Sequence, residues 1–350
     1  MFVSALGAIV GGELNRLALP RVDSALVVVI DGLGIENLTS HTGHARNLAK
    51  LLRAPKAKAI RCGFPSSTAV SLTSFGTGLR AGLHGILGYQ TRTQDNQIRN
   101  MLSGWSAADS PRLWQANPTV AESAKQLGVA VSMVAHGEYD GSGFTEVMMA
   151  GASFIAESDP ISRARQANRV SSVKKTLTYL YFAELDQAAH RFGVNSAQWL
   201  AALETVDSAI GELTGNFGLI VTADHGVIDV SNTSHIYLDE IPGFSDSVEL
   251  AVGDPRALYC YGDAEAARNA LNSAGVEGFL ATFDELIERG WVQGKHTIDQ
   301  VPDFVLIAKG ETAFYDKRTA KTQSLKMVGQ HGGIDDRETR IPLLFGGMFS

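Results

Sequence analysis

The amino-acid sequence predicts an α/β fold: a mostly parallel central sheet with helices on both faces, carrying an inserted α+β subdomain. Three observations lead there. Ala25–Ile30 is an unbroken apolar run, mostly β-branched, that stops at Asp31-Gly32, the pattern of a strand buried on both faces. Residues 219–222 repeat the design and end just before Asp224-His225. Residues 129–135 and 176–183 read as two further strands, with an amphipathic helix expected over residues 120–127. Strand patterns that alternate with helical ones imply parallel pairing, and such sheets gather functional residues at the carboxyl ends of their strands. Asp31, Asp186 and the Asp224-His225 pair all follow such ends.

After His225 the pattern changes. From about residue 231 to 324 there are strand candidates at residues 247–252, 257–261 and 304–308, with helical stretches at 263–273 and 282–290. This stretch is expected to form an inserted α+β cap. The core would then be discontinuous, residues 1–230 and 325–350.

Bulk composition narrows the function classes. A 350-residue chain that is 45% hydrophobic fits a globular protein with a large core, and its mean hydropathy is +0.01. A net charge of −7 argues against a nucleic-acid polymer as partner, whereas a small anionic substrate is compatible with it if bound cations supply the local field. Cys62 and Cys260 are expected to be unpaired, as in a reducing compartment. The apolar run from Met1 to Val10 lacks a basic flank and stops at Gly11-Gly12, too short to span a bilayer. The expectation is a soluble, cytoplasmic protein with no membrane partner.

Seven residues carry the chemistry. Asp186 and His190 stand four apart, so on a helix both side chains would share one face and one ion. A helix-start aspartate with an exposed histidine has the same spacing. Asp224 and His225 follow a buried strand, where one polar group is left buried and unpaired unless a metal or partner takes it. His331, with Gly329 before it and Gly332-Gly333 after it, lies where backbone can approach a ligand closely; a turn histidine in solvent is the alternative. Thr68 ends Phe64-Pro65-Ser66-Ser67-Thr68 and opens a helix expected over residues 69–75. Its hydroxyl could be a plain N-cap or could sit at a phosphate-binding helix start. Three aspartates, three histidines and one hydroxyl at predicted strand ends and loop edges match the needs of two divalent cations and an in-line phosphoryl displacement.

At this point the sequence resembles the alkaline phosphatase superfamily, in its nucleotide pyrophosphatase/phosphodiesterase branch, over about residues 25–344 and most weakly over 231–324. The family's metal-binding aspartate after the first strand is matched by Asp31. Its threonine nucleophile, in Pro-Ser-x-Thr ten residues before the glycine of a Thr-Gly pair, is matched by Thr68 with Thr77-Gly78. Asp-x-x-x-His, Asp-His-Gly and the late His-Gly-Gly are matched by Asp186 with His190, Asp224-His225-Gly226 and His331-Gly332-Gly333. The resemblance implies an alkaline phosphatase-like fold and two cations. Asp186, His190 and His331 would hold one; Asp31, Asp224 and His225 would hold the other, with Thr68 nearby. The ligand mix favours zinc, with manganese or iron as alternatives. Family members often carry an asparagine shortly after His-Gly to bind a phosphate oxygen. Here Tyr89 stands at about that place and Arg92 follows, so substrate binding is expected to fall to these two, although Tyr89 could equally be packing.

The expected reaction is hydrolysis of a small phosphoester, with nucleotides among the candidates, through a phospho-threonine on Thr68. A phosphomonoesterase or phosphonate hydrolase on the same scaffold is the alternative. A sulfatase is disfavoured, since Cys62 lacks a Cys-x-Pro-x-Arg context. A metal-binding module without turnover should have lost ligands, and none is missing. Phe314 and Tyr315 of the cap are either stacking surfaces or buried packing. Oligomeric state is not legible in the sequence.

Overall fold

The computed structural model describes residues 1–106, 109–294 and 301–350; residues 295–300 of the expected cap lie outside the described residues. Among the described residues the main sheet has seven strands. Their order is Lys58–Arg61, Arg340–Gly347, Gly218–Thr222, Ala25–Ile30, Thr176–Phe182, Ala130–Ala135 and Ser153–Ala156. From Gly218–Thr222 to Ser153–Ala156 all neighbours are parallel. Arg340–Gly347 runs against both of its neighbours.

Ala25–Ile30 lies at the centre and explains its own composition. Every residue in it is buried, and alternate side chains serve two cores. Val27 and Val29 point into one with helix Phe2–Val10, where Phe2 stacks on Phe75 at 4.8 Å between ring centroids. Leu26, Val28 and Ile30 point into the other, against Ala164 and Ala167 of helix Pro160–Ser171 and Trp199, Leu203 and Val206 of helix Ala197–Gly211. A strand apolar on both faces therefore reports the helices on both sides of it.

The strands expected from long apolar runs appear within a residue or so of their expected ends. Three others did not stand out. Lys58–Arg61 is a short edge strand with charged ends, Ser153–Ala156 is an edge strand of four residues, and Arg340–Gly347 contains Pro342, which reads against a strand. Pro342 is tolerated beside Gly218–Thr222, where its carbonyl accepts the Thr222 hydroxyl at 2.7 Å.

Beyond the core, Val248–Asp254, Ala257–Gly262, Phe304–Ile307 and Phe279–Thr282 form a separate antiparallel sheet in that order. Helices Ala264–Ser273 and Phe283–Glu288 accompany it, started by side-chain caps from Asp263 and Thr282. Both ends of the stretch are stitched together. Ile228–Asp229 pairs with Gly329–Gln330, and His235–Tyr237 pairs with Ala313–Tyr315. Cys62 and Cys260 are both free thiols. No described helix is long and apolar enough to cross a membrane.

One ion pair ties this second sheet to the core. Arg256, in the turn after Val248–Asp254, meets Glu338 at 2.8 Å, and both side chains are fully buried. Glu338 also accepts the Gly333 N–H, and Arg256 donates to the Thr312 carbonyl. Removing one partner strands a buried charge, which costs about 3–5 kcal/mol. Arg256→Met should therefore lower the unfolding free energy of the metal-free chain, measured in urea, by an amount of that order, and Arg256→Met with Glu338→Leu should recover much of it.

Candidate active site

Three strand ends deliver the carboxylates. Asp31 follows Ala25–Ile30, and its Oδ2 accepts the hydroxyl of Tyr181 at the end of the neighbouring strand. Asp224 follows Gly218–Thr222, and its Oδ1 accepts the N–H groups of Gly32 at 3.2 Å and His225 at 2.9 Å. Asp186 lies on helix Glu184–Phe192 with His190 one turn later, His190 Nε2 standing 3.1 Å from Asp186 Oδ2. The shared-face expectation for this pair holds. Buried Arg163 anchors the start of that helix, 2.9 Å from Glu184 and donating to the Tyr181 carbonyl. Gly32 has φ +72°, and a Cβ there would sit 3.0 Å from the Asp186 side chain, so only glycine lets the two acids approach.

The remaining residues arrive on loops that brace each other. Ser66 Oγ donates to the Gly333 carbonyl and accepts the Gly332 N–H, at 2.8 and 3.0 Å. Thr68 is the first residue of helix Thr68–Thr77, whose cap position is held by Ser67. Its hydroxyl does not cap the helix: Oγ1 lies 3.0 Å from His225 Nε2.

Each of the three aspartates has one oxygen engaged and one left bare. Asp31 Oδ1, Asp186 Oδ1 and Asp224 Oδ2 are buried without a hydrogen-bond partner. The Nδ1 atoms of His190, His225 and His331 face the carbonyls of Gly329, Gly226 and Ser66 at 2.8, 3.2 and 2.8 Å. A carbonyl only accepts, so each Nδ1 carries a proton. Asp186, His225 and His331 offer ligand atoms within 4.8 Å of one another, as do Asp31, Asp224 and His225. His225 thus belongs to both groups, which the sequence did not suggest, while His190 stands behind Asp186 with its ring 5.1 Å from that of His331.

Protons cannot satisfy this set. Burial pushes the Asp31 carboxyl well above the usual range, and Asp224 and Asp186 push it further. Burial also raises Asp224, with His225 opposing and Asp186 adding. Burial would raise Asp186 as well, but His190, His331 and His225 hold it well below the usual range. Burial works against a charged His190, yet Asp186 beside it brings it up to about 9. Burial, with His225 adding, drives His331 far down. Buried, oriented carboxylate oxygens and imidazole nitrogens that converge in this way fit divalent cations.

A cavity of about 1200 Å³ opens above these residues, with Asp31, Thr68, Asp186, His190 and His331 in its wall. Tyr89 lines it too; Arg92 does not. The Arg92 guanidinium is drawn instead to Glu249 at 3.2 Å and lies over the Tyr261 ring at 5.3 Å, because its strand lies beside Val248–Asp254. Phe314 and Tyr315 are buried and also contribute to the cavity wall.

Asp254 was missed. It is 5% exposed in the cavity wall, within reach of the Ser67 hydroxyl and the Tyr89 N–H, and burial pushes its carboxyl up to about 7. Gly253-Asp254-Pro255 between two strand candidates signalled a turn, but nothing local said where the turn points.

The family model for type I phosphodiesterase / nucleotide pyrophosphatase matches residues 25–334, and the chain belongs to that family. No curated protein sequence matches the chain. Among solved structures, murine ectonucleotide pyrophosphatase/phosphodiesterase 5 is similar with a TM-score of 0.70 at 18% identity, over 91% of this chain and 87% of that one. The human counterpart gives 0.70 at 17% identity, over 92% and 87%. An inactive threonine-to-alanine variant of the murine protein in complex with AMP gives 0.71 at 17%, over 93% and 88%. At these identities the likeness is one of fold.

The electrostatics predict a pH signature for the chelated chain. A histidine raised to about 9 when folded and near 6.5 when unfolded binds its proton more tightly in the folded state. His190 therefore stabilises below 6.5, and that contribution is lost as pH rises through 9. Raised Asp31 acts in the same direction, and depressed His331 opposes it near pH 6.5. With chelator present the melting temperature should rise by a few degrees as pH falls from 9 to 6.5. With zinc bound the gain should vanish, because cations replace those protons; differential scanning fluorimetry across that range checks both.

Proposed function

We propose that this chain is a metal-dependent phosphodiesterase that acts through Thr68. The observation carrying this reading is the convergence of three bare carboxylate oxygens and three imidazoles, each with Nδ1 committed to a carbonyl, around one threonine hydroxyl. Asp186, His190 and His331 would hold one divalent cation, with His225 close enough to share it. Asp31, Asp224 and His225 would hold the second beside Thr68. Zinc suits these ligands best, with manganese and iron also compatible. When bound, the cations supply positive charge to the oxygens on phosphorus and make a hydroxyl beside them more acidic.

The chain's own residues do the rest. His225 fixes the Thr68 hydroxyl at the carboxylate group. Tyr181 and the Gly32 and His225 N–H groups keep Asp31 and Asp224 turned toward it. The Thr68 oxygen bonds to phosphorus as the bond to the leaving alcohol breaks, and the Thr68 proton leaves with that alcohol or the solvent. Water then attacks the phospho-threonine, restoring the hydroxyl and releasing a phosphomonoester. The cavity exceeds what a phosphate alone needs, and a nucleotide substrate agrees with the AMP bound by the murine relative.

The test is hydrolysis of bis(p-nitrophenyl) phosphate beside p-nitrophenyl phosphate, with zinc or with chelator. Diester turnover should be favoured, abolished by chelator and reduced by at least about a thousandfold in Thr68→Ala. A preference for the monoester would move the reading to a phosphatase, and turnover that survives Thr68→Ala would remove the nucleophile.

A further inference from the structure

The turn joining Val248–Asp254 to Ala257–Gly262 reaches from the second sheet into the active site. It comes up against the loop that carries His331: a Cβ added to Gly332 would lie 2.6 Å from that of Asp254. Two residues on, Arg256 is locked to Glu338 at 2.8 Å, which fixes the turn in place. Asp254 is thus held in the cavity wall with Thr68. Electrostatically it couples to His225 and to His190. Its Oδ2 is buried without a hydrogen-bond partner, and it belongs to neither group of converging ligand atoms.

A carboxylate accepts hydrogen bonds and donates none, and the non-bridging oxygens of a phosphoryl group do the same. Facing a bound phosphoester, Asp254 therefore acts as a fixed negative charge. Divalent cations at the neighbouring groups favour its ionised form. A phosphodiester carries one negative charge, whereas a phosphomonoester carries nearly two at neutral pH. We infer that Asp254 is a specificity residue that selects phosphodiesters by repelling the second charge of a monoester. This rests on the phosphoester reading above and adds the residue that sets its substrate class. One extra unit charge felt across several ångströms at intermediate dielectric corresponds to about ten- to a hundredfold in relative binding.

The experiment compares kcat/KM for bis(p-nitrophenyl) phosphate and p-nitrophenyl phosphate in the zinc-loaded full chain and in Asp254→Asn. In parallel, calorimetry measures binding of p-nitrophenyl phosphate to Thr68→Ala with and without Asp254→Asn, and zinc content is determined for each protein. The diester-to-monoester ratio should fall by about tenfold or more in Asp254→Asn, chiefly through a gain on the monoester. The double variant should bind the monoester more tightly than Thr68→Ala alone, with zinc content unchanged. Asp254→Ser, smaller and uncharged, should move both readouts the same way if the asparagine disturbs the turn. An unchanged ratio in folded variants, with wild type still preferring the diester, overturns this inference and leaves the phosphodiesterase reading intact. Loss of zinc with the carboxylate overturns it too, by making Asp254 a ligand. If wild type cleaves neither ester with any metal, the phosphoester reading fails and this inference falls with it.

Discussion

Buried carboxylates and imidazoles brought together from distant parts of the chain govern the arrangement of this molecule. Asp31, Asp186 and Asp224 converge from three neighbouring strand ends, each with one oxygen on a fixed partner and the other bare. Three imidazoles join them with their Nδ1 protons already committed to carbonyls. Such a cluster is unfavourable in a buried space unless cations complete it. The surroundings read as devices for holding the cluster open: a glycine where a side chain would push Asp186 away, a serine clamp on the His331 loop, and a buried arginine under the helix that bears Asp186.

The second sheet reaches into the first. Its first turn carries Arg256 to Glu338, and Glu338 also holds the Gly333 N–H beside His331. The same turn carries Asp254 into the cavity wall. One turn of the second sheet therefore bears on the loop of His331 and on the wall of the cavity. This is why family membership, which covers residues 25–334, narrows the chemistry more than the substrate.

Much of this was legible in the chain itself. Ala25–Ile30 and Gly218–Thr222 could be read because strands buried on both faces are apolar throughout and end abruptly where function begins. Asp186 and His190 could be read from spacing, since four residues make one helical turn. Strands Lys58–Arg61 and Arg340–Gly347 were obscured by edge exposure and by Pro342. Arg92 fitted a phosphate-binding role by its chemistry, but Glu249, distant in sequence, engages it in the fold.

The sequence by itself determined the sheet's central strands and the family, and it pointed to the candidate ligand residues and to Thr68. Each of these depends on local pattern or on a short motif. Only the tertiary structure decided that His225 is common to both ligand groups, that the Thr68 hydroxyl faces this histidine instead of capping its helix, and that Asp254 enters the site while Arg92 leaves it. The physical reason is that these outcomes depend on which groups meet across gaps of more than 150 residues in the chain. A residue's own neighbours in sequence do not encode the partner that closes on it from elsewhere.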